Sequence, residues 1–441
     1  MKIQLSDHFT YGKLIRFSMP SIVMMIFTSI YGVVDGLCVS NFVGKIPFAA
    51  LNLIWPYIMG IGALGFLVGT GGTALISKTL GMGDRQKANE IFTLLTVTCL
   101  VCGGILTALS LIFLRPVSIL MGAEGEMLEC CVLYGSIVLP AATAYIIQFA
   151  FQSFCVTAEK GKLSLIMTIA SGVCNIILDL LLVPRFGLPG AAGATAFSQY
   201  LGAFIPIVYF ARPNSSLLRL VKFRMDWKAL WRTLTNGVSE LVTNLSLSIV
   251  SILYNLQLLA YAQENGVAAY GVIMYVNLIF IAIDIGIVLG VAPLFGYHYG
   301  ADNRPELKNL FRKSLVILLV TSIAMAGLSV LLARPLAQFF VGYDQELMEL
   351  TTRALALYSL SFLLCGFNIF GSNMFTALNN GFISAVISFV RTLLCQVAAV
   401  LLLPRLWGVD GIWLAITAAE LVALIVTVVC FVIFRKKYHY A

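Results

Sequence analysis

Long apolar runs, separated by short polar segments, recur along the whole chain. Many of them reach the 18 or more residues that an α-helix needs to cross the hydrocarbon core of a bilayer. The strands of a β-barrel would give short segments of alternating polarity instead. The pattern therefore predicts an all-α polytopic membrane protein with twelve transmembrane helices. The predicted spans cover residues 14–39, 50–76, 90–114, 131–155, 163–183, 190–211, 234–258, 270–296, 314–333, 354–376, 383–403 and 411–434.

The composition agrees with this pattern. Hydrophobic residues make up 60% of the 441 residues and charged residues only 11%, whereas soluble chains carry about 25% charged residues. Residues 1–11 are polar, and no cleavage site follows the first apolar run, so we expect the first helix to be retained. The ten cysteines are scattered through apolar runs without a neighbouring cluster of histidine or acid, so we predict neither a metal centre nor a redox site from them.

The distribution of positive charge predicts the orientation in the membrane. The net charge is +8, and with a cytoplasmic N-terminus 21 of the 28 Lys and Arg residues lie inside and 6 outside, while Arg391 lies within a span. Both termini are therefore expected in the cytoplasm. The basic segment 212–232 becomes a connector that faces solvent and lipid headgroups, which we prefer to a nucleic-acid-binding role.

An internal repeat relates the two halves of the chain. The segment GMGDRQKANEIF at 81–92 has an echo in GADNRPELKNLF at 300–311, an offset of 219 residues. This offset moves each span onto the span six places later, so both halves have the same orientation. We predict an N-terminal six-helix lobe at 1–211, a cytoplasmic linker at 212–232 and a C-terminal six-helix lobe at 233–441. Two such lobes around a central cavity are a transporter architecture.

Polar residues inside three spans of the first lobe form a candidate cation site. Asn175 and Asp179 are four residues apart and share one face of a helix. Tyr31 and Asp35 in the first span are also four residues apart and share a face. The helical rise of about 1.5 Å per residue places both acids and Thr195 at a similar depth. Two carboxylates close together in a low dielectric cannot both ionise cheaply, so the pair can take up a proton, or both acids can hold a sodium ion with the neighbouring oxygens. The alternative is that each acid only pairs with a neighbouring hydroxyl.

The repeat does not extend to these acids. At an offset of 220 residues, Asn175 falls on Cys395 and Asp179 on Ala399. Residues shared by the two lobes are mostly scaffold, whereas the acids belong to the first lobe alone. This asymmetry predicts an ion site in the first lobe that the second lobe lacks.

Other polar residues within the spans are candidates for a substrate cavity. Gln148 and Gln152 lie one turn apart and either line the cavity or bond to neighbouring helices. Asp284 is deep in its span and is a further candidate for the cavity. Glu240 is expected near the cytoplasmic start of its helix, where it interacts with the helix dipole.

Arg391 and Glu420 are both near mid-membrane in the second lobe and are expected to form a buried pair.

Taken with the repeat, these motifs resemble the MATE (multidrug and toxic compound extrusion) family over essentially the whole chain. The resemblance rests on residues 31–35, 81–85 with their echo, 175–179 and 190–195, and is closest to the bacterial branch. It implies a location in the bacterial cytoplasmic membrane. It also implies that Asp35, Asp179, Asn175, Tyr31 and Thr195 form the cation site, with Na⁺ held by the two acids and Asn175.

The expected function is a secondary active antiporter that exchanges inward H⁺ or Na⁺ for the export of amphipathic, cationic small molecules. We expect a monomer without a cofactor other than the coupling ion, with the bilayer and small-molecule drugs as partners and no nucleic acid. The alternative is a lipid-linked saccharide flippase of related architecture, but the spans offer only Arg391 to hold a phosphate. An enzyme is not expected, because no nucleophile, acid and histidine are grouped in the sequence.

Overall fold

The chain folds into helices joined by short connections. The computed structural model describes the backbone of residues 3–441 and, except at 33–41 and 45, their side chains. Every regular element in this part of the chain is helical, and the predicted all-α polytopic fold is confirmed. The α-helices are α1 (Tyr11–Phe42), α2 (Lys45–Gly81), α3 (Arg85–Leu120), α4 (Gly125–Val138), α5 (Ala142–Thr157), α6 (Gly161–Phe186), α7 (Leu188–Ala211), α8 (Trp227–Gly300), α9 (Arg304–Val341), α10 (Gln345–Tyr358), α11 (Phe362–Ala377), α12 (Gly381–Phe389), α13 (Cys395–Leu402), α14 (Pro404–Trp407) and α15 (Val409–Tyr438).

Several spans are built from more than one helix. A 3₁₀ turn at Leu139–Ala141 joins α4 to α5, and another at Ser359–Ser361 joins α10 to α11. The two turns occupy corresponding positions of the two halves. A π-helical segment at Val390–Leu394 interrupts the eleventh span between α12 and α13, without a counterpart in α6. Segments of this kind are rare and are frequently found at functional sites.

The longest helix, α8, contains two spans. Its 74 residues would reach about 110 Å if they were straight, several times the thickness of a bilayer. At Gln263 the backbone leaves the helical region, with φ 52° and ψ −146°. The rings of Tyr254 and Tyr270 stack with centroids 5.2 Å apart, although a continuous helix would separate them by about 24 Å. The chain therefore reverses at Gln263, and the eleven long apolar helices found among the described residues correspond to twelve spans.

Reciprocal contacts relate the two halves of the chain. Gly81 at the end of α2 lies directly against the backbone of Tyr297, and Gly300 at the end of α8 lies against the backbone of Lys78. Gly81 and Gly300 are 219 positions apart, and so are Lys78 and Tyr297, which is the offset of the sequence repeat. A side chain at either glycine would overlap a backbone carbonyl, so this approach requires glycine.

A second reciprocal pair lies about three turns deeper. Gly71 of α2 packs against Gly237 of α8, and Gly290 of α8 packs against Ser18 of α1. Gly71 and Gly290 are again 219 positions apart, and so are Ser18 and Gly237. Both sets of contacts join the halves on the side of the membrane where α1 begins. The division into lobes at 1–211 and 233–441 stays a prediction. Two such lobes would have to contact each other, and these glycine contacts lie between the two predicted lobes.

The N-terminal segment bridges the two halves on that side. The amide of Leu5 donates to Oε1 of Glu159 at 2.8 Å, and the amide of Phe9 donates to Oε1 of Glu306 at 2.9 Å. Lys313 Nζ donates to the carbonyl of Phe9 at 2.6 Å. The side chains of Leu5 and Phe9 are fully buried. Residues 5–9 thus contact the first half at Glu159 and the second half at α9.

The central connector is shorter than predicted and lies against α3. Helix α8 begins at Trp227, before the predicted boundary of the second lobe. Arg85 Nη2 donates to the carbonyl of Ser216 at 2.8 Å, and the amide of Arg219 donates to Oδ1 of Asn89 at 3.0 Å. The connector is therefore held along the start of α3.

Candidate cation site and central cavity

Helices α6 and α7 form an antiparallel pair that positions the residues of the predicted cation site. They are joined by Gly187, whose φ of 63° is a conformation that favours glycine. Ser171 Oγ on α6 donates to the carbonyl of Ser198 on α7 at 2.8 Å. Asn175 is four residues after Ser171 on α6, and Thr195 is three residues before Ser198 on α7. In an antiparallel pair these two positions lie at nearly the same level.

Buried polar atoms cluster at this level. Asp179 is fully buried, and Asn175 and Thr195 are 3% and 7% exposed. Asn175 Nδ2, Thr195 Oγ1 and Gln199 Oε1 have no hydrogen-bond partner among the described residues. Because an unsatisfied polar group is costly inside a membrane protein, these atoms are typical of a site for a water molecule, and the two oxygens are also suited to a cation. Gln199 was not predicted, although its position one turn after Thr195 places it on the same face of α7.

Helix α1 packs against α6 beside this cluster. Tyr31 lies against α6, where a Cβ atom at Gly172 would be 3.1 Å from its Cδ1. Asp35 belongs to α1, but its side chain lies outside the described residues. Its expected position beside Asp179 therefore stays a prediction.

The two glutamines of α5 have different surroundings. Gln148 Nε2 donates to Ser171 Oγ at 3.4 Å, and the amide packs against Gly202. Of the two roles expected for Gln148, it has the bond to a neighbouring helix, and it is not among the residues that line the central cavity. Gln152 does line the cavity, and it also donates to Thr168 Oγ1 at 3.5 Å.

A central cavity of about 380 Å³ lies between the halves and mostly against the second one. The first half contributes a few residues of α1, α2 and α5, whereas α8, α11, the π-helical segment and α15 form most of the wall. The polar and aromatic lining residues of the second half include Glu240, Asn244, Tyr254, Tyr270, Asn277, Tyr358, Asn373, Arg391, Gln396 and Glu420. From the sequence, Asp284 was the one residue of the second lobe expected in the cavity, and this concentration of polar residues was not predicted.

Glu240 lies in the cavity wall and not near the start of its helix. Asp226 caps the N-terminus of α8, where its Oδ1 accepts from the amide of Ala229 at 2.9 Å. The helix therefore begins at Trp227, and Glu240 lies about 20 Å along it. The prediction of a position near the helix start was wrong, because the first polar turns of α8 were assigned to the connector.

Arg391 and Glu420 form the expected buried pair. Arg391 Nε donates to the carboxylate of Glu420 at 2.8 and 3.0 Å, and Glu420 is 1% exposed. Asn368 Nδ2 donates to the same carboxylate at 2.7 Å, and Asn368 Oδ1 accepts from Thr427 at 2.9 Å. The π-helical segment carries Arg391, so the irregular backbone of the eleventh span positions the cation of this network.

Asp284 lies behind the cavity wall. It is fully buried, its Oδ2 accepts from the thiol of Cys365 at 3.3 Å, and its Oδ1 has no hydrogen-bond partner among the described residues. Its neighbours Ile281, Ile285 and Cys365 line the cavity, whereas Asp284 itself does not. Gly366 leaves room for the carboxylate, because a Cβ atom there would be 2.8 Å from Oδ1. The expected direct contact with the cavity is therefore not made in this conformation.

Two related sets of membrane-spanning helices around a polar cavity define the architecture of a secondary transporter. A family model described as MatE matches residues 20–181 and 241–401, one stretch in each half. The chain belongs to the MatE family.

Curated relatives match nearly the whole chain. The multidrug export protein MepA of Staphylococcus haemolyticus is 26% identical over 418 residues, covering 93% of this chain and 91% of that protein. MepA of Staphylococcus aureus is 25% identical over 430 residues, with coverages of 94% and 92%.

Solved structures share the fold. A MATE protein crystallised in a straight conformation superposes with a TM-score of 0.92 at 23% identity and covers 98% of both chains. A transporter from Pyrococcus furiosus, described as having a binding pocket of reverse polarity, gives a TM-score of 0.89 at 23% identity, with coverages of 98% and 96%.

Proposed function

We propose that this chain is a multidrug efflux antiporter that exchanges inward H⁺ or Na⁺ for amphipathic, cationic small molecules. The observation that carries the proposal is the separation of two polar sites. A buried cluster around Asp179 lies within the first lobe, and a cavity large enough for a drug-sized molecule lies against the second. The relatives named multidrug export proteins support the export of drugs.

The first-lobe cluster would bind the coupling ion. The carboxylate of Asp179 can take up a proton, or its oxygens can hold Na⁺ together with those of Asn175, because hard cations take oxygen ligands. Thr195, Tyr31 and Asp35 are proposed as further members. For the ion to drive export, it must bind one conformation of the lobes more tightly than the other.

The cavity favours a cationic, amphipathic guest. Arg391 is paired with Glu420, so the carboxyl group of Glu240 is left in the lining to interact with a cationic guest. Tyrosine rings and aliphatic side chains offer apolar surface and faces for cation–π contacts. A flippase for lipid-linked saccharides would need a cationic side chain that is free to bind phosphate. Arg391 is already paired with Glu420, so this alternative is disfavoured.

The expected orientation has both termini in the cytoplasm of a bacterial cell, with the chain acting as a monomer. In this orientation the glycine contacts between the halves close the cytoplasmic side, and export requires them to separate.

Transport by the purified protein in liposomes tests the proposal. Vesicles are loaded with the amphipathic cation ethidium, and its movement is followed under a pH gradient alone and under a Na⁺ gradient alone. One of the two gradients is expected to drive transport, and Asp179→Asn should reduce this transport to background. The matched control is Asp302→Asn, which changes an acid that is mostly exposed.

Two results would contradict the proposal in different ways. Transport by Asp179→Asn at the rate of the unmodified protein would exclude the first-lobe site while leaving antiport intact. Ethidium movement under neither gradient, with the protein correctly inserted, would exclude the antiport of cations.

A further inference from the structure

The connector and the first turns of α8 carry a concentrated positive charge. All of the Lys and Arg residues in this segment are exposed: Arg212, Arg219, Lys222, Arg224, Lys228 and Arg232. Asp226 is the only acid between residues 212 and 232, and its carboxylate caps the helix by accepting from the amide of Ala229. Six positive charges and one negative charge give this segment a formal charge of +5.

Two tryptophans lie among these basic residues. The side chains of Trp227 and Trp231 are 70% and 68% exposed, and they lie one helical turn apart on the same face of α8. Lys228 and Arg232 follow them directly and form an adjacent row. A large aromatic side chain exposed to water gains nothing from its apolar area, whereas tryptophan is favoured at the boundary between headgroups and hydrocarbon.

The segment is fixed in place by the first lobe. The carbonyls of Ser216 and Leu217 accept from Arg85, at 2.8 and 3.0 Å. The amide of Val221 donates to Thr93 Oγ1 at 3.0 Å. The basic groups are therefore presented from an anchored backbone, which reduces the conformational entropy that a ligand has to overcome.

The position of the cations at the start of α8 is not explained by helix stability. The N-terminus of a helix has a partial positive charge, so Lys228 in the first turn of α8 is repelled there. An anion bound beside Lys228 would remove this repulsion and would be favoured by the positive end of the helix dipole.

We propose that residues 219–232, here called the basic tryptophan surface, bind the headgroups of anionic phospholipids. The phosphate would lie among the guanidinium and ammonium groups, and the two indole rings would insert at the level of the glycerol. Because the segment ends the first lobe and begins the second, a bound lipid would contact the link between them. The inference rests on the membrane fold and not on the proposed export function.

Lipid binding can be measured without any transport. The purified full-length protein is reconstituted in phosphatidylcholine vesicles that contain increasing fractions of brominated phosphatidylglycerol, which quenches nearby tryptophan fluorescence. Brominated phosphatidylcholine in the same fractions gives the reference. The test variant changes Arg224, Lys228 and Arg232 to Gln. The matched control changes the three exposed cations at 435–437 to Gln, and these have no exposed tryptophan among them.

The unmodified protein is expected to be quenched more strongly by brominated phosphatidylglycerol than by the phosphatidylcholine reference. Each cation near an anionic surface changes the binding constant about fivefold, so the test variant should lose at least about tenfold in apparent affinity. The control variant should stay within about twofold of the unmodified protein. Replacement of Trp227 and Trp231 by Phe should remove most of the preferential quenching, because their indoles are the proposed reporters.

Three results would overturn the inference. Equal losses in the test and control variants would indicate a general effect of net charge. Relief of the quenching by millimolar inorganic phosphate or by a short RNA would indicate a site for free phosphate or nucleic acid. Equal quenching of the unmodified protein by the two brominated lipids would exclude any preference for anionic headgroups.

Discussion

The buried pair of Arg391 and Glu420 allows a prediction with a worked magnitude. Glu420 is 1% exposed, and its carboxylate accepts two contacts from Arg391 Nε at 2.8 and 3.0 Å and one from Asn368 at 2.7 Å. Replacement of Glu420 by Gln removes the negative charge and leaves a guanidinium that is mostly buried. Breaking a buried ion pair from one side costs about 3–5 kcal/mol, because the remaining charge has no counterion. We expect Glu420→Gln to lower the free energy of unfolding by this amount.

Removal of both charges should cost less than removal of one. In the double variant Arg391→Met with Glu420→Leu, neither position carries a charge that needs a partner. Replacements of this kind are often neutral or stabilising. The expected coupling between the two sites is therefore about 3 kcal/mol or more, well above the limit of simple additivity.

Unfolding in mixed detergent micelles, followed by intrinsic tryptophan fluorescence, measures these differences. Asp410→Asn is the matched control, because Asp410 pairs with Arg353 in a more exposed position, where an ion pair contributes about 0–1 kcal/mol. If the costs of Arg391→Met alone and Glu420→Leu alone add up in the double variant, the two residues do not stabilise each other and the reasoning fails.

Two further predictions concern the contacts between the halves. Glu306→Gln should lower the unfolding midpoint, because Glu306 accepts charged hydrogen bonds that each contribute about 1.5–3 kcal/mol. The control Asp302→Asn should change the midpoint little. An equal shift in both variants would contradict the bridging role of the N-terminal segment. Gly237→Ala should destabilise the protein by about 1–3 kcal/mol, because its new Cβ would overlap the carbonyl of Leu67. Gly104→Ala, with open space around it, should not be destabilising; destabilisation by Gly104→Ala and not by Gly237→Ala would show that the close packing is unimportant.

The sequence alone determined the membrane architecture. A bilayer requires about twenty apolar residues for each helical crossing, so the number of spans can be read from the apolar runs. The offset of 219 residues indicated two related halves, and the reciprocal contacts of Gly81 and Gly300 follow that offset. The polar residues Asn175 and Asp179 also stood out, because a polar group in an apolar helix is costly and therefore rare.

Only the tertiary structure decided which polar residues meet. The helical rise gave Asp179 and Thr195 a similar depth, but the direct packing of α6 on α7 after the reversal at Gly187 decides that Asn175 and Thr195 lie side by side. In the same way, Gln148 and Gln152 are both glutamines and lie one turn apart on the same face of α5. Only Gln152 lines the cavity.

The largest difference between expectation and structure lies in the second half. Glu240 was assigned to a helix end because the first turns of α8 are polar, whereas the cap at Asp226 moves the helix start back and places Glu240 in the cavity wall. Arg391 and Glu420 could be paired from their depth, but their place in the same wall depends on the packing of α15 against the π-helical segment. Local sequence fixes the length and polarity of each helix, and the packing of helices from distant parts of the chain decides which side chains share a cavity.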